Sequence, residues 1–477
     1  MQALIELIYN IIWSDALIYL CIFTGFYFSI KYKFPQIIYF KDMIRLIFHN
    51  NKSQKGITSY QAFSLALSGR VGTGNIAGVA TAIGMGGPGA VFWMWLIAIL
   101  GSSSAIIEAT LAQMYKEEKD GQYRGGPAFY ITKGLESKVF AWTFAIVTIV
   151  ATGFLLPSIQ SNSISVAIHS AFNISPYYVG IGIVLILAFI IIGGIQRISV
   201  VAKYVVPIMA GLYILMALII IGLNIQEIPA VISLIFKSAF NLDASLGAVV
   251  GAAISWGVKR GVYSNEAGQG TAPHAAAAAE VGHPVEQGLV QGFSVYIDTL
   301  LVCTATAFMI LFTGQYNVTN PNGGFIVQHL PGIESGPIFT QYAVSTVFPA
   351  IGSAFVAIAL TFFAFTTIMA NYYIAETNVS FIQSYKTAKL LKNLLRVAIL
   401  ISVFIGCVTT AKTAWTLGDI GGGLMAWLNL IAILLLRKKV DIVFKDYHIL
   451  RKQNRNPKFD NSKYKIPNMD FWNKSSS

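Results

Sequence analysis

The stretch SGRVGTGNIAGVATAIGMGGPG, Ser68–Gly89, decides how the rest of the chain is read. It lies inside a hydrophobic segment that begins near Tyr60 and is long enough to cross a bilayer, yet it carries Arg70 and then Gly72, Thr73, Gly74, Asn75 and Gly78. Glycine in a helix interior costs about 1 kcal/mol relative to alanine, and a charge near mid-bilayer is expensive and as a rule functional. Arg70 sits about ten residues into the segment, roughly 15 Å along a helix, or half of a hydrocarbon core of about 30 Å. The pattern predicts a transmembrane helix unwound at Gly72-Thr73-Gly74-Asn75, with the freed backbone groups lining a small polar site.

The composition fits that environment. The 477 residues are 55% hydrophobic and 11% charged, where a soluble domain carries about 25% charge. Apolar runs of about 20 residues predict eleven spans, near 14–32, 60–84, 89–115, 138–170, 177–195, 200–223, 244–279, 286–313, 345–379, 393–411 and 414–436. The fold class is therefore an all-α polytopic membrane protein. The net charge of +12 marks topology, not nucleic acid: 28 of the 33 Lys and Arg fall on one side of this arrangement. The positive-inside rule then puts the N-terminus outside and the basic tail, 437–477, in the cytoplasm. Cys21, Cys303 and Cys407 lie in apolar spans and read as packing residues. The charge order around the first span is the reverse of a secretory signal, so it reads as a retained helix.

A second anomaly lies in span 244–279, GAAISWGVKRGVYSNEAGQGTAPHAAAAA, which holds Lys259, Arg260, Asn265, Glu266 and Pro273. Two five-span blocks, 60–223 and 244–436, thus each open with a broken, glycine-rich, cationic helix. Five is odd, so the second block is inverted relative to the first. That is the pattern of an inverted-repeat secondary transporter with its site where the broken helices meet. Residues 1–59 add one N-terminal helix and a basic cytoplasmic loop.

GGPGAVFWMWLIAILG (86–101), SGRVGTGNIAGVATAI (68–83), GGP (125–127) and GVKRGVYSNEAGQGTAP (257–273) resemble the alanine or glycine:cation symporter family. The resemblance implies sodium-coupled uptake of a small neutral amino acid in the cell membrane, and the two inverted five-helix repeats of the leucine-type sodium symporters. It implies no cofactor, sodium being co-transported, and no obligate protein partner. A carrier of glutamine or another neutral amino acid, driven by sodium or protons, is the alternative. The sequence has no Ser/His/Asp set and no HExxH motif, which argues against an enzyme.

A zwitterionic substrate needs donors for its carboxylate and acceptors for its ammonium. Backbone N–H groups of Gly72, Thr73, Gly74 and Asn75 suit the carboxylate. Ile254, Ser255, Trp256 and Gly257, taken as the second break, would offer carbonyls, with Trp256 closing the pocket and Gln160 a further polar contact. Sodium takes oxygen ligands. The fold resemblance implies one site from the Asn75 side chain and the Arg70 carbonyl with Asp298 or Thr299, and another from the Ser68 and Val71 carbonyls with Thr366 and Thr367. Each residue has a plainer use: Asn75 can cap its helix, Thr366 and Thr367 can bond back to theirs, Gln160 can join helices, and Asp298 can pair with Lys259 or Arg260. Arg70 and Glu266 read as gate residues. The GGPAFYITKGL loop is expected on the cytoplasmic surface, His274 and His283 solvated, Asn317 in a sequon, and the tail partly disordered.

Overall fold

The computed structural model describes residues 2–49, 55–119, 121–192, 194–240, 247–383, 385–453 and 457–473. Among them, eight helices are long and apolar enough to cross a membrane, and Pro176–Ile191 is a shorter apolar one. The two broken spans, Ser59–Gly86 and Gly247–Ala278, complete the eleven. The chain is a multi-pass membrane protein with the predicted 5+5 helix arrangement and one extra N-terminal span.

The first broken span starts with a reciprocal cap. Gln61 N donates to Thr58 Oγ1 at 3.2 Å, and Thr58 N donates to Gln61 Oε1 at 3.0 Å. The helix Ser59–Arg70 ends at Val71, and a wide π-turn, Gly74–Gly78, leads into Val79–Gly86. Tyr296–Cys303 is also a π-segment, as is Ala151–Leu155. The turns at Gly74–Gly78 and Tyr296–Cys303 loosen the hydrogen-bond ladder where Asn75 and Asp298 sit.

The helix Gly89–Met114 packs against both broken spans and against the following helix, Pro284–Val295. Small residues bring membrane helices together where no hydrophobic driving force acts between them. A Cβ on Gly257 would lie 2.5 Å from Ala90 O, and one on Gly288 would lie 2.7 Å from Ile106 O. These glycines are points of contact, not of unwinding. The second break falls later, at 266–271, where Glu266, Gly268 and Gly270 have φ of 53°, 82° and 81°.

Five other expectations change. The GGPAFYITKGL segment is not a surface element: Pro127–Gly134 is an inserted helix with Phe129, Tyr130 and Ile131 buried. His274 and His283 are buried, and their ring nitrogens meet Thr271 O and the Val285 N–H. Asn317 is buried, donating to Leu330 O and Ile333 O, so its sequon is structural. Arg260 pairs with Asp419, not Asp298. The tail is folded: Arg437–Lys452 is a helix, Arg451 binds Asp42 through two 2.8 Å bonds, and Trp472 is buried with its Nε1 2.8 Å from Gln113 O. Residues 454–456 and 474–477 of that tail lie outside the described residues.

On the tail side, the two broken spans are tied together. Ile57 N donates to Ala278 O at 2.9 Å and Glu280 N to Ile57 O at 3.1 Å. Phe459 of the tail adds a 2.9 Å bond to Gly282 O.

Candidate functional site

At the first break the freed donors are taken up within the protein. Gly72 N donates to Asn75 Oδ1 at 2.8 Å, and Thr73 N donates to Gln160 Oε1 at 3.0 Å. Gln160 Nε2 reaches Tyr263 Oη at 3.2 Å. Gln160 therefore joins the first break to the second broken span. Gly74 lies against Ser264, where an added Cβ would meet Ser264 Cα at 2.9 Å, so only glycine permits that approach.

Asn75 makes a second connection. Its Nδ2 donates to Asp298 Oδ1 at 2.7 Å, while Ser264 Oγ and Thr299 Oγ1 donate to Asp298 Oδ2 at 3.0 and 2.7 Å. Three separated segments thus meet on one buried carboxylate. Buried ionised groups persist where hydrogen bonds replace water, and a carboxylate ringed by hydroxyls is a hard-cation donor set. The Thr367 hydroxyl lies 2.9 Å from Ser68 O across the first span, and the Thr366 hydroxyl bonds back to Phe363 O at 2.9 Å. Val71, at the end of the first half-helix, is buried, with φ −74° and ψ 89°.

The Arg70 side chain stays in protein. Its Nε donates to Asn265 O at 2.6 Å and its Nη1 to Gln291 O at 3.0 Å and to Ser294 Oγ. Asn265 ends its helix, so the guanidinium supplies donors to carbonyls that the helix leaves open. Glu108 does the converse at the second break. Its carboxylate accepts from Gly268 N at 3.3 Å, Gly270 N at 3.1 Å and Asn429 Nδ2 at 2.7 Å.

Ser255, Trp256 and Gly257 are not brought to this centre. They lie in the unbroken helix Gly247–Asn265, with Gly257 about 13 Å along the axis from Glu266. Trp256 instead stacks beside Arg260, 5.2 Å from the guanidinium. Arg260 binds Asp419 through Nη1 and Nη2 at 3.1 and 2.6 Å and lies 4.6 Å from the Trp415 ring centre.

A small cavity lies between the breaks, lined among others by Gly72, Gly74, Leu156, Gln160, Tyr263 and Asn371. A second cavity, toward Leu65 and Ala275, shares Gly69 and Glu266 with it. Glu266 thus stands at the waist between two spaces, its Oε2 accepting from Thr271 Oγ1 at 2.7 Å. Tyr263, Ser264, Glu108 and Asn429 were not legible as site residues. A carboxylate at position 108 of an apolar span was the one available signal.

The chain matches the family model for the sodium:alanine symporter family over residues 1–461. It is 58% identical over 464 residues to YrbD of Bacillus subtilis strain 168, covering 97% of this chain and 96% of that protein. It is 49% identical over 431 residues to the sodium/proton-dependent alanine carrier protein of Bacillus sp. strain PS3, covering 90% and 97%. A solved sodium-coupled sialic acid symporter shares the fold at a TM-score of 0.51 and 14% identity, over 89% of this chain and 86% of that one. The family consists of sodium-coupled transporters, not enzymes, and carries no cofactor. Its profile spans nearly the whole of this chain, and the two broken spans face each other across its centre; the chain belongs to the sodium:alanine symporter family.

Proposed function

We propose that this symporter imports alanine, and glycine with it, driven by sodium. The observation that carries the reading is the joining of the first break to the second broken span through Asn75, Asp298 and Ser264, beside a small cavity between the breaks. Sodium binds first, either at Asn75, Asp298, Thr299 and the Arg70 carbonyl or at Ser68, Val71, Thr366 and Thr367. Binding draws oxygen ligands from both halves of the chain, which orders the breaks for the amino acid. The substrate carboxylate then meets the backbone of Gly72–Asn75, with Gln160 giving up its bond to Thr73 N. The units 60–223 and 244–436 rock against each other to exchange access. The N-terminus lies outside, the tail lies in the cytoplasm of a bacterial or archaeal cell, and no protein partner is needed.

The test is uptake of labelled alanine into proteoliposomes under an inward sodium gradient, against an equal potassium gradient. Sodium-driven accumulation blocked by glycine but not by leucine is the expected result. Uptake of glutamine in place of alanine would overturn the substrate. Uptake indifferent to sodium would overturn both ion sites.

A further inference from the structure

The cavity between the breaks is lined by polar side chains that are mostly engaged, although Arg70 Nη2 has no partner among the described residues. Gln160 uses its oxygen on Thr73 N and its nitrogen on Tyr263. Gln269 Nε2 donates to Val262 O at 2.8 Å. The Thr367 hydroxyl lies between Ser68 O and Phe363 O. Asn371 is different. It is 1% exposed, it lines the cavity, and neither its Oδ1 nor its Nδ2 has a hydrogen-bond partner among the described residues. It stands one helical turn beyond Thr367, on the same face of Gly352–Ile382.

A buried amide left without partners is destabilising, and in native proteins such groups are few. An amide with both ends free in a cavity marks a place where water or a ligand supplies the partners. The ligand must offer a donor and an acceptor side by side. The edge of an amino-acid zwitterion does so, with ammonium N–H groups next to a carboxylate oxygen.

We propose that Asn371 reads the α-amino-acid group of the substrate, its Oδ1 accepting from the ammonium and its Nδ2 donating to the carboxylate. This assignment rests on the amino-acid transport reading above and extends it to a residue on a third span. It also separates amino acids from small acids and amines. Propionate would lack the ammonium and forfeit one of the two bonds, and alaninamide would keep a carbonyl acceptor but lose its charge, so the second bond would weaken.

The test is equilibrium binding of alanine and alaninamide in sodium to the full-length protein and to Asn371→Ala, Asn371→Ser and Asn371→Asp. Hydrogen bonds to charged groups have a strength that corresponds to about 10- to 100-fold in affinity. Asn371→Ala is expected to weaken alanine binding by about that factor, with the sodium concentration for half-activation unchanged. Asn371→Asp keeps an acceptor for the ammonium and sets a negative charge against the carboxylate, so it is expected to prefer alaninamide over alanine, the reverse of wild type. Should Asn371→Ala fail to fold, Asn371→Ser and Asn371→Asp carry the test. Wild-type affinity for alanine in Asn371→Ala or Asn371→Ser, or an Asn371→Asp protein that loses both ligands alike, would overturn the assignment. A wild-type protein that binds glutamine and not alanine overturns the substrate alone, since the variants must then weaken glutamine by the same factor.

Discussion

Asn75 has both ends of its amide in use, the oxygen on Gly72 N and the nitrogen on Asp298. Alanine at this position removes a local cap, at a cost of about 1 kcal/mol, and a bond to a charged group that contributes roughly 1.5–3 kcal/mol. Asn75→Ala is expected to abolish sodium-driven uptake, measured against a potassium gradient, while the protein still elutes as a folded monodisperse species. The two threonines separate in the same assay. Thr367→Val is expected to raise the sodium concentration for half-maximal uptake several-fold, because its hydroxyl reaches Ser68 O, and Thr366→Val to raise it by less, because that hydroxyl returns to Phe363 O and does not reach the first span. The sequence marks both threonines equally. Only the rotation of their helix distinguishes them.

Lys116, just beyond the span Gly89–Met114, tests the other kind of buried group. Burial pushes its ammonium down from 10.5 to about 7, with the charge of Glu280 opposing the shift. Between about pH 7 and 10.5 the unfolded chain therefore holds a proton that the folded protein releases, so stability rises with pH across that window and is flat below it. Thermal melts of Lys116→Met in detergent are expected to lack this rise. The same rise in wild type and variant would rule Lys116 out as its source.

At the scale of elements, the two broken helices differ in how far their breaks could be read. The first break is written in adjacent residues, Gly72-Thr73-Gly74-Asn75, and the structure unwinds there. In the second, glycine occurs at 247, 251, 257, 261, 268 and 270, and local cost alone treats these positions as alike. Gly257 is needed for contact with Ala90, whereas Gly268 and Gly270 are needed for left-handed φ. Gly257→Val is accordingly expected to force the helices apart and to destabilise the protein by about 1–3 kcal/mol, read as a lower melting temperature. The Arg260–Asp419 pair is the other contact of this scale. Asp419→Asn leaves the buried guanidinium without its charge partner, a loss of roughly 3–5 kcal/mol. The variant is expected to melt earlier and to let a soluble maleimide reach a cysteine placed at Trp415. Protection equal to that in a wild-type background would show that the pair does not hold this face closed.

At the scale of the whole molecule, the tail closes the side on which the broken spans are tied together. Phe459 bonds to Gly282, and Trp472 bonds to Gln113, whose own side chain bonds to the carbonyls of Ala276 and Ala279 at the end of the second broken span. Truncation after Gln453 removes these contacts. It is expected to speed sodium-dependent exchange or to lower the melting temperature, with labelling of an Ala279→Cys variant rising in either case; unchanged labelling would show that the tail does not guard that end.

Composition, the eleven apolar runs and the glycine cluster at 72–78 were enough to read a polytopic membrane protein of the 5+5 fold whose first broken span is unwound at 72–75. Those properties are local: hydropathy, charge and the conformational cost of glycine act over a turn or a span, and the bilayer converts them directly into topology. The partners of the buried polar groups were decided by tertiary structure alone. Glu108 meets Gly268, Arg260 meets Asp419, Asn75 meets Asp298, and Asn371 is left facing the cavity. Such groups must find hydrogen bonds wherever the fold brings donors and acceptors together. Which of them meet depends on how helix faces distant in sequence are turned toward each other.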